Sequence, residues 1–232
     1  HFNQLLLNTF LANVTVGYLW FALTFWVYLE TRSVLATAFI GGAYMLLTAV
    51  VGVPFGTWVD RTRKKRVMLV AQVFTTVAFS LAFAVYLLTP RADLLRIGGW
   101  QFVLFVSLTL LGAVVESARN IALSTCVTLM VDESERDKVN GLVGMVSGLG
   151  FAVTSVFSGL SVGQLGMTWT IATAVALTVV SMIHLLFVSV PEAEVVHSDE
   201  APKMVDFGGA FRAIRDVPGL TGLVLFACFN NL

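Results

Sequence analysis

Long apolar runs alternate with short polar breaks along this chain. Six runs stand out, at roughly residues 5–29, 34–59, 67–89, 101–130, 139–160 and 167–190, and a seventh opens near Leu220. A helix that crosses the hydrocarbon core of a bilayer needs about 20 predominantly apolar residues. Each of the six runs reaches that length, so the pattern predicts six transmembrane helices. The seventh run stops at Leu232, partway through a span. The expectation is that the sequence is a piece of a longer chain.

Composition agrees with the pattern. Hydrophobic residues make up 57% of the 232 positions, and the mean hydropathy is +0.87. A water-soluble domain has no means of hiding that much apolar surface. The first run is too long for a cleavable leader and has no small-residue cleavage site, so it reads as a span. Cys126 and Cys228 lie in apolar runs, far apart, with no metal-ligand spacing, and read as core or lipid-facing residues. No metal and no cofactor is expected.

Net charge is zero, so the placement of charge carries the information. The breaks after the second, fourth and sixth runs hold ten Lys and Arg, whereas the opposite set holds three, Arg32, Arg91 and Arg96. Cytoplasmic loops carry the excess of bases. The amino terminus and the even breaks are therefore expected in the cytoplasm, with the protein in the plasma (inner) membrane. After residue 190 the composition turns acidic and polar, interrupted by Pro191 and Pro202. The expected organisation is a six-helix bundle over 1–190, a cytoplasmic linker over 191–218, and the beginning of a seventh span over 219–232. Within the linker, "FGGAFRAIRDVPG" has the spacing of a short amphipathic helix, with Phe207, Phe211 and Ile214 on one face. A plain linker is the other reading of that stretch.

The densest basic stretch is "FGTWVDRTRKKRVML", residues 55–69. Gly56 removes a side chain near a helix end and permits close helix approach. Asp60 sits where the second span leaves the membrane and can accept from a neighbouring helix amino terminus. The bases fall in the headgroup zone, where anionic lipid favours each by about 1 kcal/mol. A simple anchor to membrane lipids needs the bases but neither Gly56 nor Asp60. Spans flank the cluster closely on both sides, which excludes nucleic acid as a partner.

Gly56, Asp60, Arg61, Lys64 and Lys65 resemble the signature of the major facilitator superfamily, G-x-x-x-D-R-x-G-R-R/K, in the loop between the second and third spans. Arg63 stands where that family usually has its second Gly. "VDESERDKVNGLVG", with Arg136 ahead of Val139 and Asn140, and "DFGGAFRAIRDVPGL" resemble stretches of the family's drug and siderophore exporter branch, which includes macrolide efflux proteins. The resemblance runs over nearly the whole chain. It implies an all-α membrane protein, here one six-helix half of a twelve-helix fold plus the linker and the start of a seventh helix. It implies that Gly56, Asp60, Arg61, Lys64 and Lys65 form a conformational latch against a covalent carboxy-terminal half.

Two charges lie deep in the fourth run. Glu116 and Arg119 are three apart and share a helical face. Ionisable groups at membrane depth are costly and face a cavity or a partner. One reading is a substrate-binding or proton-coupling pair; the others are a structural ion pair that neutralises itself, or an Arg119 near enough to the cytoplasm to snorkel. Gly112, one turn earlier, is expected to keep that face open. In the family an Arg of this span is followed four residues later by Gly, whereas Leu123 follows Arg119, so no family role is carried over to it.

In the first run Asn13, Gly17, Trp20 and Thr24 share a face, which suits an amphipathic ligand in a cavity or, equally, helix packing. Tyr18, Trp26 and Tyr28 read as lipid-facing or belt aromatics. His184, alone in the sixth run, reads as hydrogen-bonded packing or as a group that titrates near neutral pH. In the fifth run Gly141, Gly144, Gly148, Ala152, Ser155 and Gly159 form a small-residue face, and Gly144 and Gly148 are expected to pack closely against a neighbouring span. Many proton-driven antiporters of the resembled family carry Gly-Pro in this span; here there is no Pro.

Together these features point to a secondary transporter exporting amphipathic small molecules by alternating access, with protons as the coupling ion. A uniporter or importer of a small polar solute is the alternative. A membrane enzyme is not expected: there is no HExxH, nucleophile elbow or P-loop, and the breaks are too short to build a soluble site. A non-transporting scaffold leaves Glu116 and Arg119 without a purpose.

Overall fold

The computed structural model describes residues 2–130, 133–188 and 207–230. Among these residues the structure is helical, with no strand. Six helices are long and apolar enough to cross a membrane: α1 (Phe2–Thr31), α2 (Val34–Arg61), α3 (Lys64–Leu88), α5 (Trp100–Met130), α6 (Arg136–Gln164) and α7 (Gly166–Phe187). They coincide with the six apolar runs. A one-turn helix, α4 (Arg91–Leu94), and a 3-10 turn at Glu133–Glu135 sit between spans. The chain divides into two compact units, His1–Val195 and Val196–Leu232. The second contains α8 (Phe207–Asp216) and α9 (Leu220–Asn230). A helix thus forms where the amphipathic stretch was expected, but the side chains of Phe207 and Phe211 and the linker residues 189–206 lie outside the described residues.

Local chemistry sets the helix joints. Arg32 takes a left-handed φ of 54°, and the Ser33 hydroxyl accepts from the Ala36 N–H at 3.1 Å to cap α2. The break between α2 and α3 is only Thr62 and Arg63, so the basic cluster is not a loop. Lys64, Lys65 and Arg66 belong to the first turn of α3. Lys64 reaches back, its Nζ donating to the Val59 carbonyl at 2.7 Å, and Lys65 Nζ donates to the Leu186 carbonyl at 3.2 Å at the end of α7. Cations on terminal carbonyls satisfy orphan acceptors and complement the helix dipole. Leu165 alone joins α6 to α7, and Gly166 supplies φ of +80°.

α1 is the central helix of the first unit and packs against α2, α5, α6 and α7, while α3 lies along α5. This corrects the reading of two aromatics. Tyr18 is buried and donates to the Ser161 hydroxyl, and Trp26 is buried edge-on against Tyr86 and Phe105. Only Tyr28 is exposed. A helix covered on most sides has no single lipid face for periodicity to reveal.

Two apolar clusters stack along the bundle. One contains Leu19, Leu23, Phe79, Phe105 and Ile171. The other, at the basic end, contains Leu5, Met68, Ala122 and Leu185. On α1, α3 and α7 the buried polar residues Asn8, Gln72 and Ser181 fall between members of the two clusters, and Arg119 on α5 lies among members of the second. Gly112 also differs from expectation. A Cβ there would stand 2.6 Å from the Phe79 ring, so Gly112 is the socket for that buried ring rather than a gap in the cavity wall. Gly112→Ala is expected to destabilise the bundle by about 1–3 kcal/mol through overpacking, measurable as a lower unfolding midpoint in detergent. An unchanged midpoint would show that the ring moves freely.

Candidate functional site

A cavity of about 600 Å³ opens among α1, α2, α5 and α6. Asn13, Gly17 and Trp20 line it from α1, Tyr44 from α2, Glu116, Ser117 and Asn120 from α5, and Phe151 and Thr154 from α6. The first three and Glu116 were candidates from the sequence, and the fold brings them to one wall. Thr24 does not join them. Its hydroxyl turns into its own helix, donating to the Phe21 carbonyl at 2.8 Å.

The lining mixes an aromatic box with one charge. Trp20 lies 5.5 Å from Tyr44 and 4.9 Å from Phe21, which meets Phe151 edge-on at 4.9 Å. Gly17 gives room for Thr154, whose Oγ1 would stand 3.2 Å from an added Cβ. Glu116 is the single ionisable acid of the lining and is only 2% exposed. Both its oxygens lack a hydrogen bond of good geometry, as does Trp20 Nε1. An acceptor and a donor therefore stand unsatisfied at the same cavity. Buried polar groups normally find partners, so the pair is chemically poised for something that enters.

Arg119 does not line the cavity. Its side chain is fully buried behind Glu116, with Nε 3.3 Å from the carboxylate. Nη1 donates to Gln72 Oε1 at 2.7 Å, and Nη2 donates to Asn8 Oδ1. The network continues: Asn8 Nδ2 donates to the Ser181 carbonyl at 2.8 Å and contacts His184 Nδ1 at 3.0 Å. Gln72 Nε2 donates to the Thr178 carbonyl at 3.4 Å. One guanidinium thus ties α1, α3 and α7 to α5. Asn8, Gln72 and Ser181 were not singled out from the sequence. The available signal was an amide within an apolar run, at a depth where an amide needs a partner.

The remaining candidates sit elsewhere. Gly56 faces open space, with nothing within 4 Å of an added Cβ, and Asp60 is exposed. Gly144 and Gly148 likewise face open space. The close approach of α6 to α1 is made instead at Gly150, packed on Phe10 and Val14, and at Thr154. A second cavity, of about 550 Å³, opens between α2 and α5, lined by Phe39, Ile40, Phe102 and Leu110. Its only polar side chains are Ser33 and Ser107, so it offers volume without ionisable chemistry. Among the described residues no cluster of His, Cys, Asp and Glu could hold a metal ion.

A family model described as Major Facilitator Superfamily matches residues 5–232. No curated protein and no solved structure matches the chain.

Proposed function

The chain belongs to the Major Facilitator Superfamily and is a multipass membrane transporter, and we propose that it exports amphipathic small molecules across the plasma membrane by alternating access coupled to protons. The observation that carries this reading is Glu116: a buried carboxylate without a hydrogen bond, in the wall of a cavity of about 600 Å³, beside an aromatic box. A carboxylate in such a place can hold a proton in one state and a substrate in the other. Trp20, Tyr44 and Phe151 supply flat apolar contact, while Asn13 and the free Trp20 N–H orient polar groups.

In this reading the present helices form one half of the site, and a covalent carboxy-terminal half supplies the other. The open faces at Gly56 and at Gly141, Gly144 and Gly148 offer small-residue surfaces for it. Asp60, which is exposed and forms no ion pair to another described residue, is a docking group for the latch, with Arg61, Lys64 and Lys65 beside it. The amino terminus and the basic end lie in the cytoplasm, and residues 191–218 form the connecting linker.

A uniporter or importer of a small polar solute is the second reading. Ser117, Asn120, Ser124, Ser147 and Thr154 in the lining favour it. Reconstitution of the whole polypeptide in proteoliposomes separates the two. Hydrophobic cations and siderophore-like compounds are expected to move faster under an imposed pH gradient than without one. Equal rates with and without the gradient would leave the uniporter, and movement of none of them would remove the export reading.

A further inference from the structure

We propose that Asn8 and His184 are positioning residues for the Arg119–Glu116 pair, and that they hold it only while His184 presents an unprotonated Nδ1. Donor and acceptor roles fix the arrangement of these groups. A guanidinium only donates, so the Asn8 amide must turn its oxygen to Arg119 Nη2. The Ser181 carbonyl, 2.8 Å from the amide nitrogen, only accepts and demands the same orientation. With its oxygen committed, Asn8 has only an N–H left for His184, whose Nδ1 lies 3.0 Å away. Nδ1 is therefore the acceptor, and the imidazole is neutral with its proton on Nε2.

A proton added to Nδ1 sets N–H against N–H. The amide cannot flip to accommodate it, because a flip would aim its NH2 at Arg119 and its oxygen at the Ser181 carbonyl. Asn8 must withdraw, which loosens one of the two anchors of the guanidinium. The other is Gln72 Oε1 at 2.7 Å. Glu116 stands 3.3 Å from Nε of the same group. A charge change at half-buried His184 thus reaches the cavity carboxylate through Asn8 and Arg119.

The elements packed on α7 are α1, α3 and α6, and α5 reaches His184 through Asn8. α1 offers the neutral Asn8, and α3 brings Lys65 onto the Leu186 carbonyl. α5 contributes Arg119 and Glu116 through Asn8. α6 carries Arg136, Asp137 and Lys138 in its first turn, and His184 forms no ion pair with any described residue. The transport consequence rests on Glu116 as the coupling carboxylate; the tautomer does not.

The test uses full-length protein in detergent with nitrogen-15 labelled histidine. The chain has three histidines, so the His184 signals are those lost in His184→Asn. At pH 8 they are expected to report a bare Nδ1 and a protonated Nε2. The unfolding midpoint is expected to fall by about 2–4 °C from pH 8 to pH 5.5 because of this contact. His184→Asn, whose Oδ1 accepts in place of Nδ1 and cannot be protonated, removes that part of the fall. Asn8→Asp offers carboxylate oxygens to both Arg119 and a protonated imidazole; it sets an oxygen against the Ser181 carbonyl at every pH, so its midpoint is lower throughout while the sign of its pH dependence is reversed. A proton on Nδ1 at pH 8, or the same pH dependence in all three proteins, overturns the proposal. Absence of proton-driven transport by the wild-type protein, with the tautomer as stated, would instead remove the reading of Glu116.

Discussion

Arg119→Leu is expected to lower the thermal unfolding midpoint by roughly 6–20 °C, the equivalent of about 3–5 kcal/mol. Leucine fits the space but strands three groups. Glu116, 2% exposed, loses its counter-ion and must either hold an uncompensated charge or take up a proton. Asn8 Oδ1 loses its donor, and Gln72 Oε1 keeps only the Ser181 hydroxyl at 3.4 Å. Breaking one side of a buried ion pair costs far more than the pair contributes, because the partner's desolvation is no longer offset. The double variant Arg119→Leu with Glu116→Leu is therefore expected to recover a large part of the midpoint, although the cavity then has no carboxylate. Equal losses in the single and double variants would mean that the amides of Asn8 and Gln72, not the charge, account for the cost. Arg119→Lys tests geometry separately. A single ammonium cannot meet Asn8, Gln72 and Glu116 along the directions a planar fork provides, so a loss intermediate between wild type and Arg119→Leu is expected.

The spans were legible because length and hydropathy decide them locally. Each apolar run became one helix, with ends displaced by a few residues. Those displacements have a cause at the basic end: Lys64 and Lys65 are long enough to sit in a helical turn and still carry their charges to the carbonyls of Val59 and Leu186. Glu116 was legible as a charge at depth. Its separation in role from Arg119 was not, because sharing a helical face says nothing of which residue the neighbouring helices cover. Arg119 is covered by residues 47 and 111 positions away, and no local pattern encodes such a partnership. The same holds for Gly112, whose meaning depends on Phe79 arriving from α3. In the first run, four residues at helical spacing gave three cavity positions and one, Thr24, that bonds its own backbone. Threonine in a helix has that local option, whereas Asn13 and Trp20 reach beyond their own turn.

Glu116→Gln is expected to abolish the acceleration of transport by a pH gradient while leaving the protein inserted and folded. Glutamine keeps the shape of the side chain, and its Oε1 can stand where the carboxylate oxygen stands, 3.3 Å from Arg119 Nε. The guanidinium also retains Gln72 and Asn8, so the midpoint should fall by less than in Arg119→Leu. What glutamine lacks is the exchangeable proton. If Glu116 carries the coupling ion, the variant can still equilibrate substrate between the two sides, at the rate the wild type shows without a gradient, but cannot concentrate it. Gradient-stimulated transport at the wild-type rate would remove Glu116 from coupling and leave it a structural counter-ion for Arg119. Glu116→Asp separates charge from reach. It keeps the proton but draws the carboxylate back from the aromatic box of Trp20 and Tyr44, so coupling is expected to survive with weaker substrate binding. If aspartate instead abolished coupling as completely as glutamine, the position of the carboxylate against Arg119, rather than its capacity to titrate, would be the feature that transport requires.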